Sequence, residues 1–423
     1  MRGINLMNGY IVGIDLGSSK ICGAVGKVSG NSKLQIIGIT SVVCSGLNKS
    51  VVIDIDSTAE AIKQCVTQLE RMTDTQISEG YISLPGGICE LITNTGIVAI
   101  SSEDREIKQC DVDRVIEAAK LISVPYDKEI VGVEPKQYIV DGYDNIKDPR
   151  GMSGDRLQVE AQVVMAQSTV VNNLLKSVKR AGIKVNGIVL QPSAISEAVL
   201  RKEEKDMGIS LVDIGAETID ISIYKSGRLK YTSIIQLGGS NITNDISICL
   251  KVPFSEGERL KLKYGSLFKS NGNDAEKIRV KDSYDNLMEI DNDLLVDIIH
   301  ARSEEILHLI KSNLLNSGLY KEVSGVVIVG GGISLFRGAT DLSKAILEKP
   351  VRIGCPDYVG AASPIYVTAV GIVVQAVNNF NIGNNSSEQS DEYSYGTKEV
   401  SKKNKQEKNG FALKIKEFFA DFF

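Results

Sequence analysis

One pattern occurs twice in this chain and limits its possible folds more than any other feature. Val12-Gly13-Ile14-Asp15-Leu16-Gly17-Ser18-Ser19 lies near the start, and Leu211-Val212-Asp213-Ile214-Gly215-Ala216-Glu217-Thr218 follows with its first Asp 198 residues after Asp15. Each copy reads as a buried strand of β-branched residues that reaches an Asp, makes a Gly-led turn and resumes as a second apolar run, Ile21 to Val28 and Ile219 to Tyr224. The glycine lets the main chain approach a phosphate and opens a nest of N–H donors, while the Asp offers a carboxylate to a hydrated Mg²⁺. The offset is too long for a solenoid repeat and suits duplicated domains. One copy alone reads more readily as an ordinary strand-to-turn junction. Two copies in the same phase predict two phosphate loops that clamp one nucleotide, with Asp15 and Asp213 holding the metal through water.

A third element, Gly325-Val326-Val327-Ile328-Val329-Gly330-Gly331-Gly332-Ile333-Ser334, runs an apolar strand into three glycines and then into a helical pattern from Leu335 to Leu347. This places bare backbone at a helix start, where a planar base can lie. The plainer reading is a tight turn that needs positive φ.

In order and spacing, these pieces resemble the motifs of the actin-like ATPase superfamily: first phosphate loop, connecting segment, second phosphate loop and adenosine loop. Gln191-Pro192-Ser193-Ala194-Ile195-Ser196-Glu197-Ala198 is similar to the connecting helix whose first residue faces the γ-phosphate. Glu258-Arg259-Leu260-Lys261 is similar to the helix whose polar ends reach ribose and base. The resemblance implies ATP and Mg²⁺ as ligands. In the first half, Asp15, Gly17, Ser18, Ser19 and Lys20 become the candidates. In the second half they are Asp213, Gly215, Ala216, Glu217, Thr218, Gly238 and Gly239, joined by Glu258 and Lys261. Gly331, Gly332 and Ile333 would flank adenine. The implied fold is α/β, actin-like (ribonuclease H-like), made of duplicated domains.

At 423 residues the chain is long enough for several cores. A net charge of −5 gives no electrostatic case for nucleic-acid binding. The seven cysteines contain no C-x-x-C pair, so neither a zinc site nor a disulfide scaffold is expected; reduced thiols in a cytosol are. No signal peptide and no run of about 20 apolar residues is visible.

The C-terminal stretch adds a second signal. From Asn378 to Asn409 the sequence is polar, with the composition of a disordered tether. Phe411, Ile415, Phe418, Phe419 and Phe422 then recur at helical spacing, Phe423 sits at the edge of that face, and Lys414, Glu417 and Asp421 lie opposite, with Leu413 off the stripe. Such an amphipathic helix behind a tether suits an anionic membrane surface, helped by Lys402, Lys403, Lys405 and Lys408. Docking on the body or on a partner is the plainer alternative.

With this tail, the sequence resembles the FtsA family of bacterial cell-division proteins over nearly its whole length. The stretch 86–166 carries no nucleotide motif and reads as an inserted α+β subdomain, with a helix around Asp111 to Ile122 and strands near Lys128 to Asp141 and Leu157 to Met165. The expected layout assigns 1–85, 167–204 and 357–378 to the first large subdomain, 205–240 and 319–356 to the second, and 241–318 to the second small subdomain. A disordered linker then spans 379–409, and the membrane-targeting helix spans 410–423. In the small subdomain, Ile298, Ile299, Ile306, Leu309 and Ile310 form the apolar set of a long helix. There Arg302 and Glu305 match the family's Arg-x-x-Glu contact for the C-terminal peptide of FtsZ, although an ordinary i,i+3 ion pair explains them equally well.

The resemblance further implies self-assembly into filaments, recruitment of downstream division proteins and a peripheral place on the cytoplasmic face of the cell membrane at the septum. Departures concern hydrolysis. Ala216 and Glu217 are expected to crowd or repel a γ-phosphate. Gln191 stands where Glu is common, so it can orient water but cannot take a proton. The two histidines, His300 and His308, lie far from the loops in sequence. At most slow ATPase activity is expected. Among alternatives, a small-molecule kinase has no use for the tail, a DnaK-type chaperone needs a longer C-terminal domain, and a PilM-like assembly protein shares the insert but lacks the tail.

Overall fold

The computed structural model describes residues 9–28, 33–269, 277–282 and 287–388. Two units divide the chain, Met1–Gly383 and Asn384–Phe423. Of the second, only 384–388 is described, as the end of the helix Val367–Glu388.

The repeated motif becomes a repeated sheet. In the first half five strands lie in the order Lys184–Leu190, Glu79–Leu84, Tyr10–Leu16, Lys20–Val28 and Leu34–Val43. In the second half the order is Val351–Ile353, Val326–Val329, Ile209–Ile214, Ile219–Lys225 and Arg228–Ile235. Both sheets have the same logic: a motif strand pairs antiparallel with the strand after its turn and parallel with a later strand. The motif strands are buried almost throughout, which explains why they read as near-continuous apolar runs rather than as alternating ones.

Helices cover the sheets. Ile55–Thr73 buries Ile62, Cys65 and Leu69 against the first sheet, and its N-terminus is capped by Asp54, whose carboxylate accepts from the Asp56 and Ser57 N–H groups. Val367–Glu388 presses Ala369, Val370 and Val373 onto Ile11 and Ala24 on the other face. In the second half, Ile242, Ile246, Leu260, Leu295, Ile299 and Ile306 from three helices join Val212, Ile214 and Ile219 of the sheet in one continuous core. The small helical portion there is therefore welded to its sheet. The insert has its own core, including Val112, Val115, Leu157, Val159 and Val163, beneath a four-stranded antiparallel sheet ordered Glu90–Ala99, Arg156–Gln167, Lys128–Val140 and Tyr143–Ile146.

Three expectations need correction. The helix after the triple glycine begins at Ala339, not Leu335; Gly331–Gly338 is turn, and Gly338 takes φ 91° at the cap. In the long helix Asn292–Asn316, Leu307 is buried and Leu309 is 37% exposed, so Leu309 lies off the core stripe. The expected linker starting at 379 begins inside the helix Val367–Glu388. The remainder of that linker, and Phe411 to Phe423, lie outside the described residues.

Candidate nucleotide cleft

The antiparallel register of each motif hairpin fixes what faces the cleft. In the first, Asp15 pairs with Cys22; in the second, Asp213 pairs with Asp220. All four line one cavity, together with Gly17, Ser18, Ser19 and Lys20 of the first loop and Gly215, Ala216 and Thr218 of the second. Gln191, Gly239, Glu258, Lys261, Gly331 and Gly332 complete the expected residues in its wall. Three expected ones do not line it. Ile333 is fully buried in the second core. Gly238 sits behind the wall, its N–H donating to Asn241 Oδ1 at 3.0 Å. Glu217 turns to Lys49, accepting its main-chain N–H at 2.7 Å, so its carboxylate is occupied rather than aimed at a phosphate.

Each acidic group is held by a donor. Ser83 Oγ donates to Asp15 Oδ1 at 2.8 Å, Gln191 Nε2 to Asp213 Oδ2 at 2.8 Å, and the Gly87 N–H to Asp220 Oδ1 at 3.0 Å. Burial nevertheless dominates. It pushes Asp15 up to about 6 against the opposing effects of Ser83 and Lys20. Asp220 also rises to about 6, through burial and the charge of Asp15, although the Gly87 N–H opposes the change. Asp213 goes to about 8, because burial is joined by repulsion from Asp220 and Asp15.

The second loop is locked to its neighbours through main chain. Gly239 N–H donates to Gly215 O at 3.0 Å, Ser240 N–H to Ala216 O at 2.7 Å and Gly332 N–H to Ile214 O at 2.8 Å. Gly330, at φ 83°, passes so close that a Cβ there would fall 2.3 Å from Asp213 Oδ1. Only glycine meets both demands. On the far wall Lys261 is buried, donates to Gly239 O at 3.0 Å and Thr243 Oγ1 at 2.7 Å, and pairs with Glu258 at 2.7 Å. Burial draws its ammonium below the ordinary lysine range, against the attraction of Glu258.

The donor set fits a metal bound through water. Among the described residues no three His, Cys, Asp or Glu side chains are grouped to hold an ion directly. Asp15 and Asp213 therefore suit Mg²⁺, which keeps several waters and takes few protein carboxylates. Proton affinity this high in ligand-free carboxylates is also what a divalent cation would offset. Sequence reasoning missed Asp220, Ser50 and Thr368 in the wall. Asp220 had a visible signal, a second Asp seven residues after the first; the other two had none.

The partner-binding candidates lie elsewhere. Arg302 donates through Nε and Nη2 to Asp245 and through Nη1 to Glu305, forming a partly exposed ionic cluster between the helices Gly239–Leu250 and Asn292–Asn316. Both histidines flank Glu304 on that helix, His300 at 3.9 Å and His308 at 3.8 Å.

Comparison with known proteins bears on the family and the fold. The family model described as "Cell division protein FtsA" matches residues 210–371, and that described as "SHS2 domain inserted in FTSA" matches residues 86–165. Cell division protein FtsA of Bacillus subtilis (strain 168) is 38% identical over 376 residues, covering 89% of this chain and 85% of that protein. Its counterpart in Neisseria meningitidis serogroup B is 36% identical, covering 86% and 89%. Among solved structures, the PilM-PilN type IV pilus biogenesis complex matches with TM-score 0.59 at 18% identity, covering 87% of this chain and 98% of that one. MreB5 of Spiroplasma citri bound to ADP matches with TM-score 0.53 at 14% identity, covering 91% and 99%. These two likenesses speak for the fold, which is actin-like.

Proposed function

Because this chain belongs to the family of the cell division protein FtsA, we propose that it is an ATP- and Mg²⁺-binding, filament-forming adaptor that tethers FtsZ to the cytoplasmic face of the cell membrane and helps recruit division proteins. The observation that carries the nucleotide part is the convergence of two in-phase loops, with Asp15 and Asp213, on one cavity. Mg²⁺ would neutralise the polyphosphate and the buried carboxylates together. Lys20 brings a positive charge to the same wall, and the main chain of both loops lets phosphate approach without side-chain obstruction. The MreB5 relative of like fold is bound to ADP, which supports a nucleotide in the corresponding cleft.

Hydrolysis is a slower matter. Gln191, held by Asp213, keeps an amide oxygen with which to orient water, and the carboxamide cannot act as a base. We assign it positioning rather than proton transfer, consistent with at most slow turnover. Calorimetry with Mg-ATP tests the site: Asp213→Ala should weaken binding at least about tenfold, as expected for loss of a charged contact. Equal affinity in that variant would overturn the assignment.

For the FtsZ contact, the cluster of Arg302 and Glu305 on the helix Asn292–Asn316 and Asp245 on the neighbouring helix Gly239–Leu250 offers a cation and carboxylates at a partly exposed place, suited to a peptide that carries both charges. Glu305→Lys, which leaves the Asp245 pair in place, should lower affinity for an FtsZ C-terminal peptide while Mg-ATP binding persists. Unaltered peptide binding by Glu305→Lys and by Arg302→Ala would remove this face from the site. The terminal residues Phe411, Ile415, Phe418, Phe419, Phe422 and Phe423 supply the membrane-binding face in this reading, and no helix among the described residues is long and apolar enough to cross a membrane.

A further inference from the structure

Between the strand Leu34–Val43 and the helix Ile55–Thr73 lies a small hairpin that pairs Leu47–Asn48 with Val51–Val52. Its base is anchored: Leu47 and Val52 are buried, and the N–H groups of Ile53 and Asp54 donate to Gly46 O at 2.9 and 3.1 Å. Its tip is strained. Lys49 takes φ 45° and Ser50 takes φ 67°, two consecutive side-chain-bearing residues in the left-handed region. A two-residue hairpin loop takes positive φ at both central positions, a conformation that side-chain-bearing residues adopt at some cost.

Those contacts reach both phosphate loops. The Lys49 N–H donates to Glu217 Oε2 at 2.7 Å, the Ser50 N–H donates to Ser18 Oγ at 3.0 Å, and the hydroxyls of Ser50 and Thr218 lie 3.4 Å apart. A turn from the first half thus grips the first loop at one residue and the second loop at two. Ser50 is 8% exposed and lines the cavity.

We propose that Lys49–Ser50 is a latch, with Glu217 as its keeper, that ties the two phosphate loops together over a bound nucleotide and slows its release. This rests on the nucleotide reading of the cleft. The carboxylate-to-amide bond of Glu217 is charge-assisted and is the strongest of the three contacts. Loss of that bond would leave the turn tied to the loops at Ser50 alone. Nucleotide leaving the cleft has to part the loops that the latch joins, so its loss acts on dissociation.

The test uses the full chain, a fluorescent ATP analogue with Mg²⁺ and stopped-flow dissociation, paired with hydrogen exchange at the Lys49 and Ser50 amides without nucleotide. Glu217→Ala should speed dissociation on the order of tenfold, with association no slower, and should speed exchange at Lys49. Glu217→Gln retains an oxygen acceptor and should fall between Glu217→Ala and the parent. Asn48→Ala, exposed on the same turn, should match the parent. Dissociation in Glu217→Ala equal to that of a parent that binds normally would overturn the latch alone. Failure of the parent to bind nucleotide, with exchange at Lys49 still faster in Glu217→Ala, would overturn the nucleotide reading and the retention role with it.

Discussion

Asp213 is the residue at which burial and function collide most sharply. Its carboxyl, raised to about 8, and those of Asp15 and Asp220, each raised to about 6, hold protons in the folded state that the unfolded chain has already released near its ordinary range of about 4. A raised folded value means stability is fully present below the unfolded value and is lost as pH climbs through the folded one. The ligand-free protein should therefore melt at falling temperature as pH rises from about 4 to 8. Asp213→Asn removes one ionisation, so it should flatten that slope and raise the melting temperature at the alkaline end, by on the order of 1 kcal/mol or more of stability. Parallel melting curves for parent and variant would contradict the repulsion argument. Asp15 and Asp213 were legible because each stands before a Gly-led turn. Asp220 left only the trace of a second Asp seven residues on, and it reads as a polar position on a strand until the register with Asp213 carries it into the cleft. Cys22, at the matching position opposite Asp15, shows that the two halves share a backbone without sharing chemistry.

At the scale of elements, the helix Val367–Glu388 is wedged between the strand Tyr10–Leu16 and the connecting helix Gln191–Val199. A Cβ on Gly371 would lie 2.1 Å from the Ala194 carbonyl oxygen, and one on Gly13 would lie 2.6 Å from that of Ala369. Glycine at both places lets three backbones approach as close as atoms allow. Gly371→Ala should then cost about 1–3 kcal/mol, the usual penalty of overpacking, and should also weaken Mg-ATP binding, because the displaced helix carries Gln191 toward Asp213. Denaturant unfolding and calorimetry check the pair of effects; unchanged stability would mean the helices have room to spare. Element identity was largely written in the apolar periods, but two details were not. Ile333 and Phe336 are buried as turn anchors, and their spacing imitates a helix that starts only at Ala339. On Asn292–Asn316 the core stripe passes through Ser303 and Leu307, so a polar residue sits inside it while Leu309 stands outside.

At the scale of the whole molecule, two sheets of one topology meet at a cleft. The duplication was legible because both motifs are short-range patterns, whereas the latch across the cleft joins residues 168 apart and left no local trace. The proposed membrane attachment rests on the sequence of residues 410–423, which lie outside the described residues. On that proposal, a segment with about six apolar side chains at helical spacing would bind membrane reversibly and weakly as a single copy, like a single acyl chain at on the order of 10⁴ M⁻¹. Many copies held on one nucleotide-bound filament turn each later contact into a local one, raising avidity by about 10² to 10⁴ without a new contact. On that proposal nucleotide would govern membrane residence through assembly. Vesicle sedimentation with anionic lipid, with and without Mg-ATP, tests this on the full chain, on a chain ending before Phe411, and on Phe418→Asp combined with Phe422→Asp. The full chain should sediment strongly only with Mg-ATP, and the other two should stay in solution. Sedimentation of the truncated chain, or equal binding by full chain below its assembly concentration, would show that attachment depends neither on this helix nor on the filament.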